Sequence, residues 1–149
     1  MKLQEVITKY LTTYSGTSPY VSTRVHWIKA PQNSQTPYVV CSTVGEDPVY
    51  ALAGPTGLVK TEVQFMVVST SAQSVYDTMR LLDNALAQWP IEATIGITSY
   101  SIQAAVRKFA SDYFDNEAKQ FYSIVRYDFF YSDRSEEHTS ELQSLSHLV

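Results

Sequence analysis

The sequence predicts an α+β fold in which an antiparallel or mixed sheet of about five to six strands carries two helices packed on one face. Two segments place apolar residues at helical spacing, and several others alternate apolar and polar residues as half-buried strands do. The first helical segment precedes every strand-like run, and the second separates the first four runs from the last two. This order suggests an antiparallel sheet with both helices on the same side.

The first helix is predicted within residues 1–16. Its apolar positions recur every three or four residues and are Leu3, Val6, Ile7, Tyr10, Leu11 and Tyr14. Gly16 stands where a helix C-terminus is commonly capped. We therefore expect this helix to end close to Gly16.

Four strand-like runs follow the first helix. They are TRVHWIK at 23–29, YVVCSTV at 38–44, VYALA at 49–53 and the alternating run after GPTG. GEDP at 45–48 and GPTG at 54–57 are predicted as the turns between the later runs. Pro55 and Gly57 stand second and fourth in GPTG, as a type I β-turn prefers, because proline presets φ at the second position.

The second helix is predicted from Ser71, a suitable N-cap, to the residue before Pro90. Its apolar stripe consists of Val75, Met79, Leu82, Leu86 and Trp89. Two long strands complete the chain, at 98–114 and 119–132, and the residues DNEA at 115–118 join them as a hairpin.

The segment from Arg134 to Val149 is set apart from the rest of the chain. It reads RSEEHTSELQSLSHLV and has no apolar period and no turn chemistry. Back-translated, it resembles a common sequencing adapter, so we expect a non-native, disordered tail behind a single native domain at 1–133. Without its one Arg and three Glu, the formal net charge changes from −4 to about −2.

The composition excludes several kinds of chemistry. A mildly acidic chain lacks the basic surface that grips nucleic acid without sequence preference. Cys41 is the single cysteine and lies in a strand-like run, which favours a buried small hydrophobe over a disulfide or metal site. No apolar leader or stretch of membrane-spanning length is present, so we expect a soluble protein without a membrane partner.

The search for catalytic residues is negative. His26 stands alone in a strand-like run and is interpreted as a structural histidine. Asp112, Asp115 and Glu117 lack the spacing of a calcium loop and are interpreted as solvated hairpin residues. No nucleotide, hydrolase or thiol-redox motif occurs. We therefore expect no catalytic residue, metal or cofactor, and a protein that is not an enzyme.

Aromatic residues crowd the last strand, FYSIVRYDFFYS, from 121 to 132. One face carries Phe121, Val125, Tyr127, Phe129 and Tyr131, and the other carries Tyr122, Ile124 and Phe130 beside Arg126 and Asp128. Helices on one side can bury only one of these faces, and large exposed apolar patches usually mark partner surfaces. The pattern favours an interaction protein, although tyrosines half-exposed on an open sheet remain an alternative.

Two stretches resemble the tail completion or tail terminator family of long-tailed bacteriophages, which includes head-tail joining proteins. They are RVHWIKAPQNSQTPYVV and VYALAGPTGLVKTEVQFMVVSTSAQSVYDTMRLLDNALAQW. The most specific parts are AP followed by PYVV, and GPTGL leading into an alternating strand and the helix with VYDTMRLLDNAL. The similarity spans residues 1–131.

This resemblance implies a structural virion protein, made in the host cytoplasm, that assembles with itself into a ring, often a hexamer. The ring caps the head-proximal end of the tail tube, ends tube polymerisation and docks to the head connector or neck protein. DNA passes through its channel without sequence-specific contacts. A mildly acidic subunit suits such a channel, because a basic lumen would hold the phosphates.

Within that implied role, the hairpin GEDPVYALAGPTGL is the expected projecting contact element. Its candidate contact residues are Tyr50, Leu52, Pro55 and Leu58. Arg24 and Lys29, which flank the first strand, are candidates for salt bridges between subunits. For all of them, ordinary packing, turn geometry or solvated surface remains an alternative.

Two other functions stay open at this stage. One is another neck or minor tail protein, in the same virion setting. The other is a small ligand-binding or enzymatic α+β domain, which would need a concave pocket with convergent polar groups.

Overall fold

A computed structural model describes residues 3–14, 24–52 and 54–132, and the side chains of residues 50, 51 and 55 lie outside that description. The expected cap at Gly16 and the expected foreign tail at 134–149 also lie outside the described residues. Within them, two helices and six strands are formed. They are α1 Leu3–Thr13, β1 Val25–Trp27, β2 Tyr38–Ala51, β3 Gly54–Ser69, α2 Ala72–Leu86, β4 Ile91–Ile95, β5 Thr98–Asp115 and β6 Gln120–Ser132.

The six strands form one mixed sheet in the order β1-β2-β3-β6-β5-β4. Every pair is antiparallel except β1 with β2, which run parallel. The expected α+β class is confirmed, and of the two sheet types allowed by the sequence the mixed one is formed.

The sheet is curled, because its two edge strands approach the same helix. Trp27 of β1 and Ile95 of β4 line one depression together with α1, although β1 and β4 stand at opposite ends of the strand order. Helix α1 therefore bridges the two edges, while α2 packs on the central strands β3 and β6. The expected picture of two helices on one face is correct only in part, since α1 closes a half-barrel.

One apolar core lies between the helices and the concave side of the sheet. Its central rings are Phe65, Tyr127 and Phe129, whose centroids are about 6 Å apart. Helix α1 contributes Val6, Ile7 and further apolar side chains of its stripe, all buried. The alternation predicted for β3 and for one face of β6 is confirmed, because the alternate apolar residues of both strands are buried here.

Helix α2 begins as predicted, since the Ser71 hydroxyl accepts a hydrogen bond from the Ser74 N–H at 3.4 Å. Its end differs from the prediction. The helix stops at Leu86, and Trp89 is half exposed outside it, with its indole N–H donating to the Leu86 carbonyl at 2.8 Å. Trp89 is therefore not part of the buried stripe, because the chain leaves the helix axis before Pro90.

Both predicted turns in the first hairpin are wrong. Residues 45–48 lie inside β2, where register shifts between Thr43 and Gly45 and between Pro48 and Tyr50 absorb the turn-forming residues as bulges. Ala51 pairs with Gly54, so the chain reverses between them and GPTG belongs to β3. A long ladder with β3 sets this register and overrides the local preference for a turn.

Strand β4 was not predicted, although its sequence IEATI alternates apolar and polar residues before Gly96. Gly96 has φ +65°, a conformation that favours glycine, and it turns the chain into β5. The last two predicted strands are confirmed as β5 and β6, which pair from Ile102 with Tyr131 to Asp115 with Gln120.

Candidate assembly surface

The β2–β3 hairpin extends past the described end of β6, as the start of β5 does on the other side of β6. Leu58 of β3 pairs with Ser132 at the end of β6, and residues 54–57 extend past that pair. A register shift lies within the arm, so its length follows β2, which advances two residues from Val49 to Ala51, or roughly 7 Å at about 3.3 Å per residue. Leu52 at its tip is fully exposed. An apolar side chain held out on a long hairpin is available to a partner and adds nothing to the core.

The other predicted contact residues of this arm are placed as follows. Leu58 is half-buried at the base of the arm. The backbones of Tyr50 and Pro55 are cross-strand partners near the tip, and their side chains lie outside the described part. Thr56 braces the arm from within, because its hydroxyl donates to the Val49 carbonyl at 2.7 Å. The structure brings the predicted residues together on one arm, and their role as contacts remains a prediction.

Arg24 and Lys29 flank β1, which pairs with the start of β2, so they lie near the opposite end of β2 from the arm's tip. Arg24 is half-buried and its Nε donates to the Pro37 carbonyl at 2.8 Å. Lys29 is exposed, next to an exposed Ile28. Arg24 therefore supports the loop before β2, and Lys29 is the more accessible of the two charges.

A surface that the sequence reading missed runs along β5. Strand β4 pairs only with residues 98–102 of β5, so among the described residues no strand covers the outer edge of β5 from 103 to 115. Apolar side chains are exposed along this stretch; they are Val106, Phe109, Tyr113 and Phe114. We call residues 103–115 the β5 free edge. The alternation of the β5 sequence predicted a strand, but only the sheet order shows that it is uncovered.

The β2 strand has a matching uncovered stretch. Strand β1 pairs only with residues 39–41, so residues 42–51 have no outer neighbour among the described strands. We call residues 42–51 the β2 free edge. Exposed strand edges present unpaired N–H and C=O groups to any chain that can add a strand.

Rings near the β5–β6 turn stack on one another. Tyr113 stacks on Tyr122 with centroids 5.1 Å apart, and Phe114 contacts Phe121 at 4.7 Å. All four rings, together with the start of α2, line an open depression of about 340 Å³. Part of the aromatic surface of β5 and β6 is therefore covered by ring contacts within the chain itself.

The carboxylates of this hairpin have structural roles. Asp112 accepts hydrogen bonds from the hydroxyls of Ser123 and Tyr76. Asp115 Oδ1 accepts from the backbone N–H of Glu117 at 3.0 Å and of Ala118 at 3.2 Å, which shapes the turn. These contacts agree with the interpretation of these carboxylates as hairpin residues.

Two basic residues lie in the middle of the β5 free edge. Arg107 Nη1 is 3.1 Å from Asp83 of α2 on the concave face. Lys108 Nζ is 3.2 Å from Glu62 and 3.7 Å from Asp128 on the opposite face. The hydrogen bond to Glu62 is the main reason why the pKa of Lys108 is raised, so this exposed side chain stays charged.

Two buried side chains, the Cys41 thiol and the Tyr127 phenol, are held in their neutral forms. Burial raises the pKa of the Cys41 thiol, which is fully enclosed, so it behaves as the small hydrophobe expected from the sequence. Burial first, and then a hydrogen bond to Asp83, raises the pKa of Tyr127. His26 is half-buried, and among the described residues its Nε2 has no hydrogen-bond partner of the kind expected for a structural histidine.

No group of three or more His, Cys, Asp and Glu side chains able to hold a metal occurs among the described residues. Four depressions lined by described residues have volumes of about 310 to 540 Å³ and are open to solvent. None of the helices in the described ranges has the length and apolar character needed to cross a bilayer. Open strand edges and an exposed apolar arm are the features of the described residues that suit contacts with other protein chains.

Comparison with known proteins identifies the family. Residues 5–132 match the family model described as "Tail completion protein gp17". Because the match covers most of the chain, the protein belongs to this family of phage tail completion proteins. It is thus a structural component of a phage-like virion, and its family is one of structural proteins and not of enzymes.

The fold also occurs in a solved particle. A chain from the "Virion of native gene transfer agent (GTA) particle" superposes with a TM-score of 0.62, at 13% sequence identity. The superposition covers 87% of this chain and 93% of that chain. At this identity the likeness shows a shared fold. No curated protein matches the sequence.

Proposed function

We propose that this protein assembles into a ring, a hexamer, that caps the head-proximal end of the phage tail tube. The ring ends tube polymerisation and forms the joint with the head connector, and DNA passes through its channel. The chain is made in the host cytoplasm and is incorporated into the virion. The observation that carries this proposal is the β2–β3 arm with its fully exposed Leu52, together with membership of the tail completion family.

A ring requires a heterologous contact, in which two different surfaces of each subunit meet. The arm supplies one such surface, with Tyr50, Leu52, Pro55 and Leu58 as its contact residues. From Val49 to Leu58 the arm has no charged residue, so its desolvation on contact costs little. Arg24 and Lys29 contribute salt bridges between subunits at the β1 side, where Lys29 is exposed.

The mildly acidic composition supports a channel that lets DNA pass. A basic lumen would bind phosphates and release counterions, which would slow the transit of the genome. With a net charge of −4 for the full chain, the ring has no excess of positive charge to hold DNA.

The direct test is tube assembly in vitro. The major tail tube protein of the same particle is polymerised with increasing amounts of this chain, and tube lengths are measured by negative-stain electron microscopy. We expect shorter tubes, each with a cap at one end, at amounts of this chain far below one per tube subunit. Unchanged tube lengths and no bound chain at tube ends would refute the terminator role. Binding to the connector alone would instead assign the protein to the neck.

A further inference from the structure

We propose that the β5 free edge of one copy pairs, antiparallel, with the β2 free edge of the next copy, so that the sheet continues from subunit to subunit. This inference rests on the proposed self-assembly and names the surfaces that carry it. Both edges are backbone ladders that lack a neighbour among the described residues. Adding a strand satisfies the unpaired N–H and C=O groups along each of them.

Each of the two edge strands is covered at one end only, and the covered ends lie at opposite ends of the sheet. On β5 the uncovered residues lie below β4, which occupies the end near Thr98. On β2 the uncovered residues lie above β1, which occupies the end near Val39. The β2 free edge of a neighbour therefore fits into the row below β4. With Ala51 set opposite residue 103, its Ser42 lies opposite Asp112 and its β1 comes level with residues 113–115, so this end of β5 bends away from the joint. The two stretches are similar in length, so this lap joint leaves little of either edge open.

The strand directions allow this pairing within a ring. Strand β2 runs toward the arm, and β5 runs away from that end, since both pair antiparallel with strands of the β3–β6 ladder. If all copies have the same orientation, β5 and the neighbouring β2 are antiparallel. The contact joins two different surfaces, as a closed ring needs.

Charge complementarity selects the partner and the register. When Ala51 of the neighbour is set opposite residue 103, a residue-by-residue count places Asp47 opposite Arg107 and Glu46 opposite Lys108. Each acidic residue then lies one position from the basic residue of its own face. Glu46 shares a face with its partner Thr61, whose hydroxyl contacts Tyr131 in the core, and Arg107 lies on that concave face too. Asp47 pairs with Lys60 on the opposite face.

Lys108 lies on this opposite face, where it contacts Glu62. Each acidic residue of the neighbour therefore meets a basic residue on its own face of the joint. Glu46 and Asp47 are exposed, and no ion pair to either of them occurs in the described part. Cross-strand pairs of opposite charge stabilise a sheet, and like charges destabilise it.

The same charges oppose the wrong pairings. Two β2 edges would bring the acidic pairs of both copies together, and two β5 edges would bring the basic pairs together. Like charges set against each other disfavour an interface. Pro48 cannot donate to the ladder, and the bulges on either side of the acidic pair bend β2, which further limits unspecific strand addition.

The joint also places the arm of the neighbour next to an apolar surface. Pairing of residue 103 with Ala51 brings the neighbour's Leu52 to the level of Ile102, which pairs with Ile91 at the start of β4. Half-exposed Trp89 lies just before this strand, and it lines a depression of about 310 Å³ with Leu86 of α2. An exposed leucine and an exposed tryptophan thus meet at one end of the joint.

The experiment traps the joint with single cysteines. Glu46→Cys and Arg107→Cys chains are mixed under mild oxidation, and products are separated by non-reducing electrophoresis. Cys41 is fully buried and does not compete. We expect a disulfide-linked dimer from the mixture, at least tenfold more abundant than from either chain alone. As a matched control, Arg80→Cys, an exposed arginine on α2, replaces Arg107→Cys and gives no such product with Glu46→Cys.

A charge swap gives an independent readout. In size exclusion with light scattering, the pair Glu46→Lys and Asp47→Lys weakens self-assembly at least tenfold, and so does Arg107→Glu with Lys108→Glu. All four changes in one chain restore it. Circular dichroism shows which variants fold. If a charge-swapped chain does not fold, the disulfide experiment with the two cysteine variants decides whether the edges pair.

The outcomes separate the two proposals. If the unaltered chain assembles but the 46–107 disulfide fails to form and the swapped chains assemble equally well, the edge pairing is wrong and the ring proposal stands. If the unaltered chain remains monomeric at high concentration and with added tube protein, both are wrong.

Discussion

Leu52→Ala and Leu86→Ala make the same chemical change at opposite extremes of exposure. Leu52 is fully exposed on the arm, whereas Leu86 is 1% exposed in the core beneath α2. Truncating Leu86 removes buried methyl groups and leaves a cavity, which costs about 2–5 kcal/mol of the free energy of unfolding. Truncating Leu52 removes nothing buried in the single chain, so its unfolding free energy should change by less than about 0.5 kcal/mol.

The order reverses when self-assembly is measured. Burying a leucine side chain against a partner contributes about 1.5–3 kcal/mol. Leu52→Ala should therefore weaken assembly about 30-fold, since 1.4 kcal/mol is a factor of ten in an equilibrium constant.

Urea unfolding at low protein concentration gives the free energy of unfolding of both variants. Sedimentation equilibrium gives the strength of their self-assembly. Leu86→Ala serves as the control for a general loss of stability. If Leu52→Ala unfolds as easily as Leu86→Ala, the arm is packed and the reasoning from exposure is wrong. If it assembles as tightly as the unaltered chain, Leu52 makes no contact between copies.

Three further predictions concern stability. Burial raises the pKa of Tyr10 to about 12 and also raises that of Tyr127, so these two hydroxyls lose their protons at lower pH in the unfolded chain than in the folded one. The free energy of unfolding should therefore stay level below pH 10 and fall between pH 10 and about 12. A Tyr10→Phe chain should show a smaller fall when urea unfolding is measured at each pH. Tyr127→Phe removes the hydroxyl that donates to Asp83 and should cost about 1–3 kcal/mol, a loss that an unchanged urea midpoint would contradict. Ser71→Ala removes the N-cap of α2 and should cost about 1 kcal/mol, whereas Ser71→Asp should retain most of the stability in the same assay.

Local pattern predicted the elements whose own residues determine them. The apolar stripes of α1 and α2, the Ser71 cap and the long strands β5 and β6 are all formed where they were expected. In these segments the periodicity, the cap and the turn residues favour the same structure. Strand β4 had the same kind of signal in its alternation, and it could have been found from the sequence.

The candidate site divides in a similar way. Leu52 was predicted as a contact residue within the role that the family resemblance implies. The structure leaves it exposed, and its role as a contact stays a prediction. The free edges of β2 and β5 could not be found in this way. Whether a strand is covered depends on the order of strands in the sheet and on how far each neighbour extends.

The sequence alone determined the α+β class, the two helices, the main strands, the lack of catalytic motifs and the resemblance to tail completion proteins. Only the tertiary structure decided where GEDP and GPTG lie, how the sheet curls around α1, and which backbone edges stay open. The physical reason is that turn and helix preferences are worth about 1 kcal/mol per residue or less, whereas a long ladder between distant segments sums many hydrogen bonds and buried side chains. Where the two disagree, as in the first hairpin, the ladder sets the register and the turn residues become bulges.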